Sequence, residues 1–421
     1  MYFTSFSMKD TVMRADTFWI GLLLLASSLS VTTLVPEMVG YVVILAVYVI
    51  FVGILFITDQ FAVTYHWAVV PMVVLIWIVF MLTTALDPTS AGIIRLGAFV
   101  VITGINLFVV PAVIDRAALH DVIAYTAGVS VLIGLPTVVF GAYQIAGLTI
   151  TPWRTTYELF DVSLNNLRSV FSNPNTLTAF SALGVVAAGA SYIRSRTPIT
   201  AGLVGLNALG AYLAGGRAGL LALIVAGVLY VVYRFFGRSA LTGFVIAGAL
   251  AVLAGFAMVF GIIPGPSAAM YVDLSSRRTI WTAAYEAILN RPAIGWGPGK
   301  DKMVLARYIA ESNSVRGTHN SYIRMFLVGG ILGGGAYLTI TISLMIIGLW
   351  NARSETLFTF LLLIMFFIIQ VFEGMTIFGL SLLSTMGAFF VGYVQSSSDT
   401  SKFVKINIHR GISGLRKMIR H

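Results

Sequence analysis

Apolar runs long enough to cross a membrane recur along almost the whole chain, with short polar turns between most of them. About 20 consecutive apolar residues span the hydrocarbon core of a bilayer as a helix. Backbone polar groups in lipid must be paired within the protein, so the runs predict helices, and the alternating pattern of a membrane barrel is missing. We therefore expect an all-α polytopic membrane protein. The pattern predicts twelve spans, at residues 17–35, 39–57, 66–86, 91–114, 121–147, 175–193, 198–214, 217–236, 240–263, 320–349, 356–373 and 375–395.

Two connections between the predicted spans are long, at residues 148–174 and 264–319. No repeat of fixed period and no low-complexity segment divides the chain, so we expect one integral membrane domain over residues 1–421. The 264–319 loop is then a large, partly helical subdomain between the ninth and tenth spans, and residues 396–421 form a basic tail.

The distribution of lysine and arginine predicts the orientation of the chain. Short loops on the cytoplasmic side are enriched in these residues, whereas long translocated loops largely escape the rule. Basic residues cluster near the N-terminus, in alternate short connections and in the tail, so we expect both termini inside and both long loops outside. The tail sequence KFVKINIHRGISGLRKMIRH predicts an interfacial amphipathic helix that lies on anionic lipid.

Composition agrees with a membrane protein. Hydrophobic residues make up 58% of the chain and charged residues only 10%, against roughly 25% charged residues in soluble domains. The net charge of +10 is explained by the basic inner loops and by attraction to membrane phospholipids, so no nucleic-acid partner is expected. The chain has no cysteine, which excludes thiol catalysis, disulfides and Cys-ligated metal sites.

The 264–319 loop is unusually basic for an outer loop, with seven Lys or Arg against four Asp or Glu. The exemption of long loops from the charge rule explains this equally well. The functional alternative is an anionic ligand at the outer surface, such as the diphosphate of a polyprenyl carrier. Arginine suits that ligand because its planar fork binds phosphate oxygens bidentately and stays charged.

Three further arginines, Arg95, Arg217 and Arg324, lie in or at the ends of predicted spans, near the outer side. An ionisable side chain at membrane depth costs about 2.5–3.5 kcal/mol on insertion scales, so each is a candidate functional residue. Arg217 opens a predicted span, where its side chain and the free N–H groups of the helix start could bind one anion. Snorkelling to lipid phosphate is the alternative, and it fits Arg95 and Arg324 better than Arg217.

His319 ends the outer basic loop and is the histidine that lies beside it in sequence. A neutral imidazole can accept a proton from an attacking hydroxyl near neutral pH, which a guanidinium cannot do. A structural role is the alternative for a lone histidine. No second histidine or carboxylate lies at metal-ligand spacing, so we predict no metal site and no cofactor.

Two patches of sequence combine candidate residues with glycines at defined spacing. In the first, His319-Asn320 is followed by nine residues, then Gly330, two residues and Gly333. The second covers residues 277–299, RRTIWTAAYEAILNRPAIGWGPG, and has an arginine, a tryptophan four residues later, a proline and a G-x-G.

A third patch, GRAGL at residues 216–220, opens a predicted span, and RSVFSNPNT at residues 168–176 lies in the shorter outer loop. In order and spacing, these patches over residues 165–335 resemble the bacterial O-antigen ligases and the related polymerase-type proteins. The chain departs from the ligase pattern at two positions that are often threonine, here Gly334 and Gly335, and has glycine where serine usually precedes the arginine of GRAGL.

The resemblance implies a GT-C-like fold of the membrane glycosyltransferase kind, a polyprenyl-diphosphate-linked glycan as donor, and catalysis without a metal ion. Carried over by position, Arg217 and Arg277 would hold the diphosphate and stabilise the charge that grows on the leaving group. His319 would orient or deprotonate the acceptor hydroxyl, and single displacement would invert the anomeric carbon. The further candidates for contacts with the diphosphate substrate are Arg278, Asn320, Arg95 and Arg324.

Three functions are open at this stage, and we rank a ligase first. A ligase would move a finished glycan from undecaprenyl diphosphate to a lipid acceptor, such as lipid A-core, on the outer face of the cytoplasmic membrane. A polymerase would join lipid-linked repeat units to a glycan acceptor with much the same residues. A transporter of lipid-linked sugars would only bind the headgroup, and the chain lacks the symmetric pair of broken helices that would favour it.

Overall fold

The structure is a computed structural model, and it describes residues 8–88, 90–145, 147–153, 156–159, 162–259, 263–264, 277–309 and 317–406. These residues are mostly helical. The helices are α1 (Met8–Leu29), α2 (Glu37–Ile57), α3 (Val70–Leu86), α4 (Ser90–Gly104), α5 (Val110–Val113), α6 (Arg116–Phe140), α7 (Pro174–Ser195), α8 (Pro198–Ala214), α9 (Arg217–Val259), α10 (Arg277–Asn290), α11 (Asp301–Leu305), α12 (Ser321–Trp350), α13 (Leu357–Phe372) and α14 (Leu382–Ser396), with a π-helical turn at Ile105–Val109.

Six helical stretches in the described residues are long and apolar enough to cross a membrane, which makes the chain a multi-pass membrane protein. They are Met38–Ile57, Gly92–Val113, Arg116–Phe140, Pro174–Ser195, Arg217–Met258 and Ser321–Trp350. Shorter apolar helices are Ala15–Leu29, Val70–Leu86, Pro198–Ala214 and Leu357–Phe372. Each of the twelve predicted spans overlaps a helix, while the number of membrane crossings stays a prediction.

The boundary predicted between the eighth and ninth spans coincides with a break in α9. Gly237 there has φ 76° and ψ −170°, so the two parts of this long helix are not collinear. Positive φ is readily adopted by glycine because it has no Cβ. The predicted break at residues 237–239 therefore has a local backbone cause.

The mostly helical structure agrees with the predicted all-α class, and three short antiparallel strand pairs accompany the helices among the described residues. β2 (Tyr143–Ile145) pairs with β3 (Leu148–Ile150), and β4 (Thr156–Leu159) pairs with β5 (Val162–Asn165), so the first long connection contains two hairpins. The predicted span 121–147 accordingly ends early, at Phe140, because Gly141 at φ 78° leaves the helix.

The third strand pair corrects the prediction for the start of the tail. β1 (Ala62–Tyr65) pairs with β6 (Lys402–Lys405), so these tail residues form one strand of a two-stranded sheet and not an amphipathic helix. The partner strand lies before α3, too far away in sequence for a local pattern to reveal. The tail residues 407–421 lie outside the described residues.

Helix α13 lies in the middle of the bundle. Nearly all of its side chains are buried, and it packs against α7, α9, α12 and α14. A helix that is apolar on every side is buried on every side. Because α13 is central, its C-terminal end brings the following turn, residues 373–381, to the point where several other helices begin.

A smaller core lies under the second long connection. Trp281 on α10 and Leu305 on α11 are buried with Leu327 on α12. The Nε1 atom of Trp281 donates a 2.9 Å hydrogen bond to the carbonyl of Thr318. These contacts seat α10 directly beside the start of α12.

Helix α12 is interrupted at Gly330, which has φ 61° and ψ −161°. The N–H groups of Ile331 and Leu332 donate to the carbonyls of Pro292 (2.7 Å) and Ala293 (3.2 Å) instead of the carbonyls four residues earlier in the helix.

The carbonyls left without these helical donors are used by the same loop. Leu327 O accepts from Trp296 N at 3.0 Å, and Val328 O accepts from Gly297 N at 2.9 Å. Four hydrogen bonds to the loop therefore replace two helical ones, which satisfies the buried backbone groups at the break. The glycine patch at Gly330 and Gly333 and the patch at residues 292–297, with the sequence PAIGWG, are thus in direct contact.

Candidate functional site

His319 is held at the start of α12 in a left-handed conformation, with φ 47°. Such a conformation is uncommon for a residue other than glycine and persists where surrounding contacts enforce it. Its neighbours on both sides, Thr318 and Asn320, are almost fully buried. Thr318 Oγ1 donates to Asn320 O at 2.9 Å, across the histidine. The backbone of His319 is therefore held firmly while its side chain is only half-buried.

Asn320 is the N-cap of α12. Its Oδ1 accepts from Ile323 N at 2.9 Å, and its Nδ2 donates to Val371 O at 2.9 Å. Both ends of this buried amide are therefore engaged within the protein. Asn320 is fully buried, so these contacts give it a structural role at the start of α12, and the substrate contact expected from the sequence stays a prediction.

The turn after α13 packs against His319. Ser321 Oγ donates to Glu373 O at 2.7 Å, and Arg324 Nη1 donates to Gly374 O at 2.6 Å. A Cβ placed on Gly374 would lie 3.7 Å from His319 N. The residues Glu373 and Gly374, which follow α13 directly, therefore lie against the backbone at His319 and the start of α12.

Glu373 carries an acidic group into this region. Asn175 Nδ2 donates to Glu373 Oε1 at 2.8 Å. Burial raises the pKa of the Glu373 carboxyl, while the Asn175 hydrogen bond and the nearby Arg277 charge oppose that rise. The guanidinium carbon of Arg277 also lies 5.9 Å from the centroid of the Phe372 ring. Arg277, the first described residue of α10, thus lies beside the carboxylate.

Arg217 begins α9 next to the same group. The residue before it, Gly216, donates its N–H to Thr178 Oγ1 at 2.8 Å. A Cβ on Gly216 would lie 2.8 Å from Thr178 Oγ1 and 3.1 Å from Asn175 Oδ1. The start of α9 therefore lies against the start of α7, with the exposed Arg217 side chain one residue beyond.

The NPN sequence of the shorter outer loop explains why α7 starts here. Asn173 caps the helix by accepting from Asn175 N at 2.9 Å, Pro174 occupies the first turn, and Asn175 reaches Glu373. An asparagine cap followed by proline is a strong helix start. Asn175 thus connects the start of α9, where Arg217 lies, to the carboxylate beside Arg277.

Arg324 and Arg95 lie near the loop that carries Gly295, Gly297 and Gly299 and leads into α11. Arg324 Nε is 3.2 Å from Asp301 Oδ2, in addition to its bond to Gly374 O. A Cβ on Gly299 would lie 2.7 Å from Arg95 Nη1, although Arg95 is largely exposed. Arg324 therefore connects the start of α11 to the turn after α13, and Arg95 lies beside Gly299, just before α11.

The remaining sequence candidate, Arg278, is exposed on α10 and lies one residue from Arg277. In the part of the chain that the structure describes, no group of three or more His, Asp or Glu side chains is arranged to hold a metal ion. Catalysis without a metal stays a prediction. The arrangement brings fixed positive charge, a carboxylate and an imidazole to one end of the bundle.

Sequence reasoning missed Glu373 and used Asn175 only as part of a motif. The sequence did contain a signal, because Glu373 directly follows the apolar run of α13 and no basic residue lies in the turn at residues 373–381. A lone carboxylate at the end of a central apolar helix needs a partner. The partners come from α7 and α10, which sequence alone does not place beside it.

The bundle defines a multi-pass membrane protein with a cationic, polar site where α7, α9, α10, α12 and α13 meet. Residues 202–338 match the family model described as O-Antigen ligase, which confirms the O-antigen ligase-like resemblance of the chain. The match covers α9 and α10, which begin with Arg217 and Arg277, and the first part of α12 after His319.

A solved structure described as "Structural coordination of polymerization and crosslinking by a peptidoglycan synthase complex" is similar over 79% of this chain and 96% of that chain. The identity is 18% and the TM-score 0.37. No curated protein matches the sequence.

Proposed function

We propose that this protein is a glycosyltransferase that moves a glycan from a polyprenyl-diphosphate carrier to a lipid acceptor at the outer face of the cytoplasmic membrane. The observation that supports the proposal most directly is the position of Arg277 and His319 at the turn of Glu373 and Gly374. Arg217 begins α9 directly after Gly216, which packs against the Asn175 that bonds Glu373. The family match over residues 202–338 supports the same class of reaction.

The reaction needs two kinds of group, and the site offers both. Arg217 and Arg277 bind the diphosphate and stabilise its charge as the bond from the anomeric carbon to the phosphate oxygen breaks. His319 takes the proton from the acceptor hydroxyl, whose oxygen forms the new bond to that carbon. The polyprenyl diphosphate leaves with the electron pair of the broken bond, and the anomeric configuration inverts.

Glu373 has a positioning role in this proposal. A carboxylate near Arg277, itself bonded to Asn175, attracts the guanidinium before the donor arrives. Positioning in advance lowers the cost of ordering a flexible arginine in the complex. The guanidinium of Arg324 is likewise positioned in advance, by its ion pair with Asp301.

A polymerase is the second candidate, because joining repeat units needs the same leaving group and the same base. The experiment that separates the two is turnover by purified protein in liposomes that contain a defined polyprenyl-diphosphate glycan, with and without added lipid acceptor. A single product that requires the acceptor supports the ligase, and a ladder formed from the donor alone supports the polymerase. Failure of the folded protein to release polyprenyl diphosphate under any of these conditions would overturn both and favour a transporter.

A further inference from the structure

A polar cavity of about 580 Å³ lies at the end of the bundle opposite the Glu373 site. Its lining includes Arg194 near the end of α7 and Phe358 near the start of α13. The Glu373 site lies at the opposite ends of both helices, beyond Asn175 and Phe372. At about 1.5 Å per residue, the 22 residues of α7 separate the two sites by roughly 33 Å. The cavity therefore belongs to a different surface of the protein.

The polar side of the cavity carries both signs of charge. Arg116 and Arg194 line it together with Asp115 and Glu355. The Nε atom of Arg116 is buried and has no hydrogen-bond partner among the described residues. Arg116 also makes no ion pair within 4.0 Å with a described residue, so the guanidinium that lines the cavity lacks an anionic acceptor.

The other charged groups differ in how far they are already engaged. Arg194 pairs with Asp121, which does not line the cavity. Asp115 caps α6 by accepting from Ala117 N at 3.3 Å. Glu355 is exposed and, within the part of the chain that the structure describes, makes no ion pair within 4.0 Å. A donor on Arg116 and an acceptor on Glu355 are therefore both left for a ligand.

The rest of the lining is apolar and lies between helix ends. Pro111, Ile114, Ala190, Ile193 and Phe358 supply it. In the predicted orientation this end of the bundle faces the cytoplasmic leaflet, since Arg116 and Arg194 lie in the basic inner connections. A ligand that reaches the cavity from the bilayer would bring a polar head and apolar chains together, which matches this division of the lining.

We infer that the cavity binds the headgroup of a zwitterionic phospholipid that carries a phosphate next to a primary ammonium, of the phosphatidylethanolamine class. The phosphate oxygens accept from Arg116, and the ammonium donates to Glu355. A simple anion would meet the repulsion of Asp115 and Glu355, and a simple cation that of the two arginines. A ligand with both charges satisfies both groups, and 580 Å³ lies in the size range of small-molecule sites.

The primary ammonium matters because it can donate hydrogen bonds, whereas the quaternary ammonium of phosphatidylcholine cannot. The hydroxyl-bearing residues Ser354 and Ser396 also line the cavity and offer additional acceptors. We therefore expect discrimination between two lipids of equal net charge, which attraction to the membrane surface alone would not produce.

The test measures lipid retention by full-length protein in vesicles that contain equal amounts of phosphatidylethanolamine, phosphatidylcholine and phosphatidylglycerol. The protein is extracted under mild conditions, and the bound lipids are counted by native mass spectrometry. Phosphatidylethanolamine is expected to be retained over phosphatidylcholine, and Arg116→Gln to reduce its retention by about tenfold, as the loss of a charge-assisted hydrogen bond implies.

A second variant and a matched control keep the result decisive if Arg116→Gln fails to fold. Glu355→Gln, at an exposed position, is expected to keep phospholipid binding and to lose the preference for phosphatidylethanolamine over phosphatidylglycerol. Arg353→Gln is the control, because Arg353 is exposed in the same connection, does not line the cavity and lies 4.0 Å from Asp399. It should retain lipid like the unmodified protein.

Equal retention of phosphatidylethanolamine and phosphatidylcholine by the unmodified protein would overturn the inference, as would an equal loss in Arg353→Gln. Displacement of the lipid by inorganic phosphate at matched ionic strength would identify a free phosphate site and overturn the lipid assignment. Glycan transfer is not the readout, so the outcome does not depend on the proposed activity at the Glu373 site.

Discussion

Asn175 Nδ2 donates a 2.8 Å hydrogen bond to Glu373 Oε1, which ties the start of α7 to the end of α13. The same asparagine lies under Gly216, one residue before Arg217, and the same carboxylate lies beside Arg277. One side-chain contact thus connects the start of α9, where Arg217 lies, with the carboxylate near Arg277; these are the two arginines that we assign to the diphosphate.

Replacement of this carboxylate by an amide, Glu373→Gln, is expected to lower turnover. Arg277 would lose its ionised neighbour and order less readily before the donor binds, which should reduce kcat/KM by about tenfold, as for loss of one charge-assisted interaction. The measurement is polyprenyl diphosphate release in liposomes. The matched control is Glu286→Gln, at an exposed position on α10, which should leave release unchanged.

The same variant should change how stability depends on pH. Burial raises the folded-state pKa of Glu373 above its ordinary value of 4.5, so in the pH range between the two values the folded protein holds a proton that the unfolded chain has already released, and above that range the carboxyl is ionised in both states. Between the two pKa values the free energy of unfolding therefore falls as pH rises. Glu373→Gln should remove this fall and unfold at a higher temperature than the unmodified protein at neutral pH. Parallel curves for the two proteins from about pH 4 to about pH 8 would contradict the assignment.

Arg217→Lys should be severely impaired although the charge is kept. A lysine ammonium cannot reproduce the planar bidentate contact with phosphate oxygens, so we expect turnover to fall by about tenfold to a hundredfold. Arg238→Lys is the control, since Arg238 is exposed on the same helix beyond the break at Gly237. Full turnover by Arg217→Lys would rule out a bidentate diphosphate contact at this position.

His319→Ala should reduce turnover by about 10²–10⁴-fold, the usual contribution of a general base. His66→Ala should be close to silent, because His66 lies before α3 and its Nε2 is 2.8 Å from Thr400 Oγ1, beside the tail strand. Donor binding measured without acceptor separates the steps, since His319→Ala should bind the donor normally. Loss of donor binding would instead give His319 a role in holding the diphosphate.

The helices were predictable from the sequence because their signal is local. A run of about 20 apolar residues, or a break such as Gly237, can be identified without knowledge of neighbouring helices. The strand pairing of Ala62–Tyr65 with Lys402–Lys405 could not, because its hydrogen bonds join segments more than 300 residues apart.

The candidate site shows the same division. Arg217 stood out because a basic group at the end of an apolar span is conspicuous in a sequence, and His319 because it ends the basic outer loop, whereas Arg277 was assigned from the resemblance of its motif. Their relation to each other depends on Glu373 and Asn175, which come from two further helices. Likewise, the spacing of Gly330 was visible in the sequence, but its contact with Ala293 became apparent only in the structure.

The break in α12 gives the most direct test of the fold around the site. Gly330 has φ 61°, and a Cβ there would lie 2.4 Å from the backbone of Ala293. Gly330→Ala should therefore push the docked loop away and cost at least about 1–3 kcal/mol, from backbone strain before the lost loop contacts are counted. Gly335→Ala, on the same helix with open space around the new Cβ, should have little effect.

The measurement is the thermal unfolding temperature of the two variants in one detergent, with turnover in liposomes beside it. Because the loop also carries Asp301, which pairs with Arg324, Gly330→Ala should lower activity even at temperatures where the protein stays folded. Equal unfolding temperatures for the two variants would mean that the loop does not dock into the helix break.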